Sequence, residues 1–124
     1  MWNNMKYAHN TIYGQPPSKS NSYKIIKLGT KIKLGKTNAM NVYEQNFFMQ
    51  CSLRKKGICK RFKLTVDVFF SSDRPDLDNA LKIILDCLQS CGAITNDRLC
   101  AEIHARKFID KINPRIELDL EELV

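Results

Sequence analysis

Phe62-Lys63-Leu64-Thr65-Val66-Asp67-Val68-Phe69-Phe70 is the stretch from which the fold is read. The two-residue period of a strand puts Phe62, Leu64, Val66, Val68 and Phe70 on one face. A different period follows. Leu77, Leu81, Ile84, Leu85 and Leu88 recur at helical spacing and predict a helix from about Asn79 to Ser90, ended by Gly92. Ala101 to Ile109 reads as another strand, with His104 and Arg106 on the face opposite Ile103 and Ala105. Asn113-Pro114 turns the chain into a last strand, Arg115 to Leu120, and the tail from Glu121 to Val124 is expected to fray.

Upstream, Thr11-Ile12-Tyr13 reads as a short first strand, closed by Gly14-Gln15-Pro16-Pro17 and a polar stretch, Ser18 to Ser22. Tyr23 to Leu28 and Lys31 to Leu34, separated by Gly29-Thr30, suit a hairpin or a mobile loop equally. A helix is expected from Thr37 or Asn38, with Asn41 as a later start. Met40, Tyr43, Phe47 and Cys51 form its stripe, Arg54, Lys55 and Lys56 its last turn, and Gly57 its stop. The aromatic stripe is read as core rather than as a base-stacking platform. The order predicts an α+β (mixed α/β) fold: a single sheet of about four strands with two packed helices, in one domain over residues 1–124.

The composition, 44% hydrophobic and 27% charged, is that of an ordinary globular protein. No apolar run approaches the roughly 20 residues that cross a bilayer. Met1 to Tyr7 lacks the apolar stretch of a signal peptide, so a cytoplasmic protein without membrane contact is expected. Charge is unevenly placed. Residues 1–72 carry 13 Lys and Arg against Glu44 and Asp67, while residues 73–124 carry 7 against 11 acids. The overall +7 therefore hides a basic front half, suited to a phosphate backbone, and an acidic rear. Five cysteines, 51, 59, 87, 91 and 100, lack zinc-site spacing and are expected to be reduced and mostly core residues.

The rear acids are not scattered. Asp76 and Asp78 flank Leu77 where the second helix begins, and Asp97 follows the next loop. Aspartate is a common helix cap, and first-turn acids suit the helix dipole. Two aspartates, an asparagine and a third aspartate exceed what capping requires, and close carboxylates recruit a hard cation such as Mg²⁺. Lys82 lies one turn beyond Asp78 and can steady a phosphate or a leaving oxygen; its bland alternative is an ion pair with Asp78 or Asp86 worth ~0.2–0.5 kcal/mol. Asp86 is expected to orient Lys82. The seven steps from Ser90 to Asp97 can span roughly 23 Å, enough to run back along a helix of about 18 Å. Asp97 can thus join the pair in its own chain, or stay at the far end and meet the pair of a second subunit.

Arg74-Pro75-Asp76-Leu77-Asp78-Asn79-Ala80-Leu81-Lys82, followed by Asp86 and Asn96-Asp97, resembles the signature of RusA-type Holliday junction resolvases. The likeness extends to the Gly14-Gln15-Pro16-Pro17-Ser18-Lys19 opening and covers most of the chain. It implies a homodimeric, Mg²⁺-dependent endonuclease that cuts four-way DNA junctions by paired incisions. The family's carboxylates map onto Asp76, Asp78 and Asp97, and its essential lysine onto Lys82. One departure is Asn96, where the family often has an acid. The basic half, with Lys19, Lys24, Lys27, Lys31, Lys33 and Lys36, is then the expected DNA-gripping surface, reading junction shape rather than sequence. A metal nuclease for other branched DNA and a non-catalytic nucleic-acid-binding protein are the alternatives; the lysine and the third aspartate weigh against the second.

Overall fold

The computed structural model describes residues 4–124, apart from the side chain of Lys19. Its elements are β1 (Met5–Lys6), β2 (Asn10–Tyr13), β3 (Tyr23–Leu28), β4 (Lys31–Lys36), α1 (Asn38–Gln50), β5 (Phe62–Phe70), α2 (Leu77–Ser90), β6 (Cys100–Ile109) and β7 (Arg115–Glu122). The architecture is α+β, as expected. β5 is central, antiparallel to β7 on one side and parallel to β6 on the other, with α2 as the crossover. Its five alternate apolar residues are all buried, which is why this strand dictates the sheet.

The main sheet has five strands rather than about four. β1 and β2 both pair antiparallel with β7, as one strand interrupted at Tyr7-Ala8-His9. The tail is correspondingly better held than expected: Glu121 and Glu122 pair with Lys6 and Met5. The Tyr7 hydroxyl donates to Glu122 Oε1 at 2.7 Å, and that bond is the main cause pushing the phenol up to about 12.

α1 takes the earlier of its two starts. Thr37 caps it, accepting from Met40 N at 3.1 Å and donating to the Asn21 carbonyl at 2.6 Å. It stops at Gln50, short of the expected Arg54–Lys56 turn. Cys51 leaves helical geometry at φ −81°, ψ 114°, and the next amide, Ser52 N, donates to Asn10 Oδ1 at 2.8 Å. The chain turns there because Cys51 and Leu53 both bury. Met40, Tyr43 and Phe47 are core residues, so the aromatic stripe packs rather than stacks on bases. Three cysteines, Cys51, Cys87 and Cys91, also lie in the core, whereas Cys59 is exposed.

α2 begins at Leu77, two residues before the expected start, and its buried stripe is rotated from the expected one. Ala80, Ile83, Ile84, Cys87 and Leu88 bury, while Leu77, Leu81 and Leu85 are only half-buried. The small side chains of Ala80 and Cys87 let the helix approach the sheet on that face.

Residues 23–36 form a hairpin, a two-stranded sheet apart from the main one, turning at Gly29-Thr30 with Gly29 at φ +63°. Three contacts fix its base: Tyr23 OH to Asp86 Oδ2 at 2.8 Å, Thr37 N to the Ser22 carbonyl at 3.0 Å, and Lys36 Nζ to Glu44 Oε1 at 2.7 Å.

Candidate active site

Between β5 and α2 the chain crosses a short loop, Ser71 to Pro75. Lys107 of β6 ties it down, donating to the Asp73 carbonyl at 2.8 Å with the Asp73 carboxylate at 3.3 Å. Asp76 then occupies the N-cap position of α2, with φ −89° and ψ 136°, but its side chain makes no capping hydrogen bond. Asp78 sits in the first turn. Both side chains are exposed, and neither forms an ion pair among the described residues. The helix N-terminus carries partial positive charge, which offsets part of the repulsion between the two carboxylates. Both therefore sit at a helix mouth, and Asp76 is not consumed by capping.

Lys82 is exposed one turn further on and likewise has no ion-pair partner among the described residues. The expectation that Asp86 orients it is not met: Asp86 accepts from Tyr23 instead and anchors the hairpin. Burial and that hydrogen bond together push the Tyr23 phenol well above its ordinary range, so the tyrosine stays a donor.

A cleft of about 610 Å³ opens beside Asp76. Arg74, Asp76 and Asn79 line one wall, Gln15, Pro17 and Ser18 the other, and Phe70 and Ala80 also line it. Gln15 locks the two walls together, its Oε1 accepting from Ser71 N at 2.7 Å. Arg74 and Asn79 stand in the quoted motif and Gln15 in the quoted opening, but residue type alone gave none of the three a place in a cleft. Gly14–Lys19 stands about sixty residues from Asp76, and no spacing rule connects the two.

Asp97 is elsewhere. Its amide donates to Gln89 Oε1 at 2.9 Å, near the last turn of α2. Gln89 lies eleven residues beyond Asp78, about 16 Å along a helix axis. The chain could have run back, but Gly92 turns it, and Ala93 and Ile94 bury and bond to the Leu88 carbonyl. Topology completes the separation: β5 and β6 are parallel, so Asp76 and Asp78 follow the end of β5 whereas Asp97 precedes the start of β6. Among the described residues, no group of three or more His, Cys, Asp or Glu is placed to hold one metal ion.

The family model for the endodeoxyribonuclease RusA matches residues 14–121. The chain is also 30% identical, over 99 residues, to a crossover junction endodeoxyribonuclease RusA of Aquifex aeolicus (strain VF5), covering 77% of this chain and 76% of that protein. The chain belongs to the RusA endodeoxyribonuclease family. It is thus an enzyme, a junction-resolving endonuclease by family, and RusA-type nucleases are metal-dependent. No helix is long and apolar enough to cross a membrane among the described residues.

The RusA match spans the hairpin, which carries most of the expected DNA-gripping lysines. Lys24, Lys27, Lys31 and Lys33 are exposed and free of ion pairs among the described residues. Lys36 differs, being engaged by Glu44 at 2.7 Å. Lys19 lies in a short 3-10 turn, Lys19–Asn21, and its side chain is outside the described residues.

The residues fit a hard divalent cation. Asp76 and Asp78 offer oxygen donors that are exposed to water and in no ion pair among the described residues. Mg²⁺ typically binds one or two carboxylates and keeps several waters, so two aspartates from one chain suffice to begin a site.

Proposed function

We propose that this RusA-family enzyme is a Mg²⁺-dependent resolvase that acts as a homodimer and cuts four-way DNA junctions by paired incisions, using one catalytic domain over residues 1–124. The observation that carries the reading is the pair of exposed carboxylates, Asp76 and Asp78, at the mouth of α2 with Lys82 one turn beyond, none of the three in an ion pair among the described residues. Asp76 and Asp78 would hold the cation, joined by Asp97. Since Asp97 lies at the other end of α2 in its own chain, it is assigned to the site of a partner subunit. When bound, the cation supplies Lewis acidity toward the phosphate oxygens and the attacking water.

The chain's own groups do the rest. Lys24, Lys27, Lys31 and Lys33 hold backbone phosphates of the junction arms. The cleft beside Asp76 admits a strand, and Arg74 on its wall faces the incoming polyanion. Lys82 presents a point charge to the scissile phosphate or to the leaving oxygen. Two copies related by a two-fold axis present two such sites to opposed strands of a junction, which itself has approximate two-fold symmetry.

Cleavage of a synthetic mobile four-way junction beside a flap, a Y-structure and a linear duplex of the same arms, with and without Mg²⁺, tests the reading. Paired incision of the junction alone, only with the metal, is expected. Equal cutting of flap and junction would favour the broader branched-DNA nuclease, and no cutting of any branched substrate would sink the assignment.

A further inference from the structure

Both helices end on a cysteine. Cys51 closes the C-terminus of α1 and Cys91 that of α2; both are buried, at 0% and 4% exposure. The backbone holds the two ends together. Lys55 N donates to the Cys91 carbonyl at 2.9 Å, and Gly57 N to the Gly92 carbonyl at 2.8 Å. A Cβ on Gly92 would stand 3.3 Å from Lys55 Cα, so the two turns are in contact. Cys51 belongs to the same tight turn as Lys55, its carbonyl accepting from Arg54 N at 3.3 Å. Within that contact the two thiols share a hydrogen bond. This bond is the largest cause bringing the Cys51 thiol down to about 7; burial opposes it, and the Leu53 and Arg54 amides and the Arg54 charge add to it. The same bond raises Cys91, whose sulfur also lies 3.4 Å from the Leu88 carbonyl. Cys87 is different: burial pushes it up, and it serves the core as a small apolar residue.

We propose that Cys51 and Cys91 form a reversible disulfide within the chain, made by exchange with an anionic low-molecular-weight disulfide. The structure shows the pair in its reduced state. A groove of about 360 Å³ between the helices reaches it: Glu44, Gln45 and Phe48 of α1 line this groove together with Ser90 and Cys91. The charge around the groove suits an anion. Its acid, Glu44, is engaged by Lys36 at 2.7 Å. Arg54 and Lys55 lie over the Phe48 ring, 5.6 and 6.0 Å from its centre, and neither is in an ion pair among the described residues.

The exchange runs as two displacements at sulfur. The pair first loses one proton to water. With the remaining proton on Cys51, the Cys91 sulfur attacks one sulfur of the small disulfide, whose S–S bond breaks. One half leaves as a thiolate with the electron pair, and Cys51 gives its proton to that thiolate. The Cys51 sulfur then attacks the Cys91 sulfur and expels the second half, which takes a proton from water. The chain loses two hydrogens and two electrons, and one small disulfide becomes two thiols. Cys91 is the entry thiol because it lines the groove, whereas Cys51 is wholly buried. Cys51 is the closing thiol because the Leu53 and Arg54 amides and the Arg54 charge still favour its thiolate once Cys91 is capped. The bond ties together helix ends forty residues apart in sequence. It lies two residues past Gln89, which holds the Asp97 amide.

The folded protein is incubated with glutathione disulfide and quenched with acid. Free thiols are then alkylated in denaturant, and the peptides are mapped by mass spectrometry. Wild type, Cys51→Ser, Cys91→Ser and a control, Cys59→Ser, are compared, with far-UV circular dichroism reporting the fold. Cys59 is exposed and takes glutathione as a simple mixed disulfide. A Cys51–Cys91 linked peptide that dithiothreitol removes is expected in wild type and in Cys59→Ser. Cys51→Ser should trap glutathione on Cys91, and Cys91→Ser should leave Cys51 reduced. Wild type in which Cys51 and Cys91 are both alkylated, under conditions that modify Cys59, overturns the proposal. A link that forms only when urea is present during the incubation, or Cys91 bonded to Cys87 instead, overturns it too. Should a serine variant not fold, the wild-type map alone decides.

Discussion

Asp76 stands where aspartate usually caps a helix, yet its side chain makes no cap bond. A stability-driven position would use the oxygen for the cap; this one leaves it exposed, two residues from Asp78. Lys82 is similar: a surface lysine one turn from an aspartate commonly pairs with it, and here it does not among the described residues. Lys82→Ala should lose ~100-fold or more in turnover, as for removal of one charge-stabilising donor. Folding and Mg²⁺ binding should be unaffected, because a charged ammonium is not a metal ligand. Lys82→Arg should restore little, since a planar fork does not replace a compact point charge. Single-turnover cleavage at saturating enzyme reads this out, and a fully active Lys82→Ala would leave the residue as surface charge.

At the scale of elements, the hairpin is the proposed grip. Its register puts Lys24, Lys31 and Lys33 on one face, and Tyr23 and Lys36 fasten its base to Asp86 and Glu44. Replacing Lys24, Lys31 and Lys33 with Ala should weaken binding to every DNA shape. The salt dependence should flatten by ~0.9 log unit per lost phosphate contact per decade of salt. Fluorescence anisotropy at several salt concentrations measures both, and an unchanged slope would move the DNA surface elsewhere. The hairpin also marks the limit of what the chain shows by pattern alone. β5 was legible because a two-residue period over nine residues has one reading. Tyr23 to Lys36 was not, because lysines alternating with aliphatics suit a hairpin and a mobile loop alike. Its anchor, Tyr23 to Asp86, joins residues sixty-three apart. The early end of α1 was hidden for the same reason: Asn10 takes the Ser52 amide across forty-two residues, and local spacing carries no trace of it. The nearness of Asp76, Asp78 and Lys82 at the start of α2 was legible because they lie within two turns of sequence. That Gln15 and Arg74 line one cleft was not, because the fold brings together two quoted stretches that lie far apart in sequence.

For the whole molecule, the decisive fact is the distance imposed by the crossover. A parallel β5–α2–β6 unit places the residues before and after α2 at opposite ends of the sheet, so one chain separates Asp97 from its companions. Sharing each site between two chains, as proposed, would make that separation productive. The direct test is complementation. Asp78→Asn and Asp97→Asn chains, each inactive alone but still binding junctions, are co-expressed with different tags and the mixed dimer is isolated by both. Shared sites leave one site wholly wild type, with the intact pair on one chain and the intact Asp97 on the other. The mixed dimer should then nick a four-way junction on one strand. If every site were built within a single chain, both would stay defective, and a mixed dimer that binds the junction without nicking it would contradict the account.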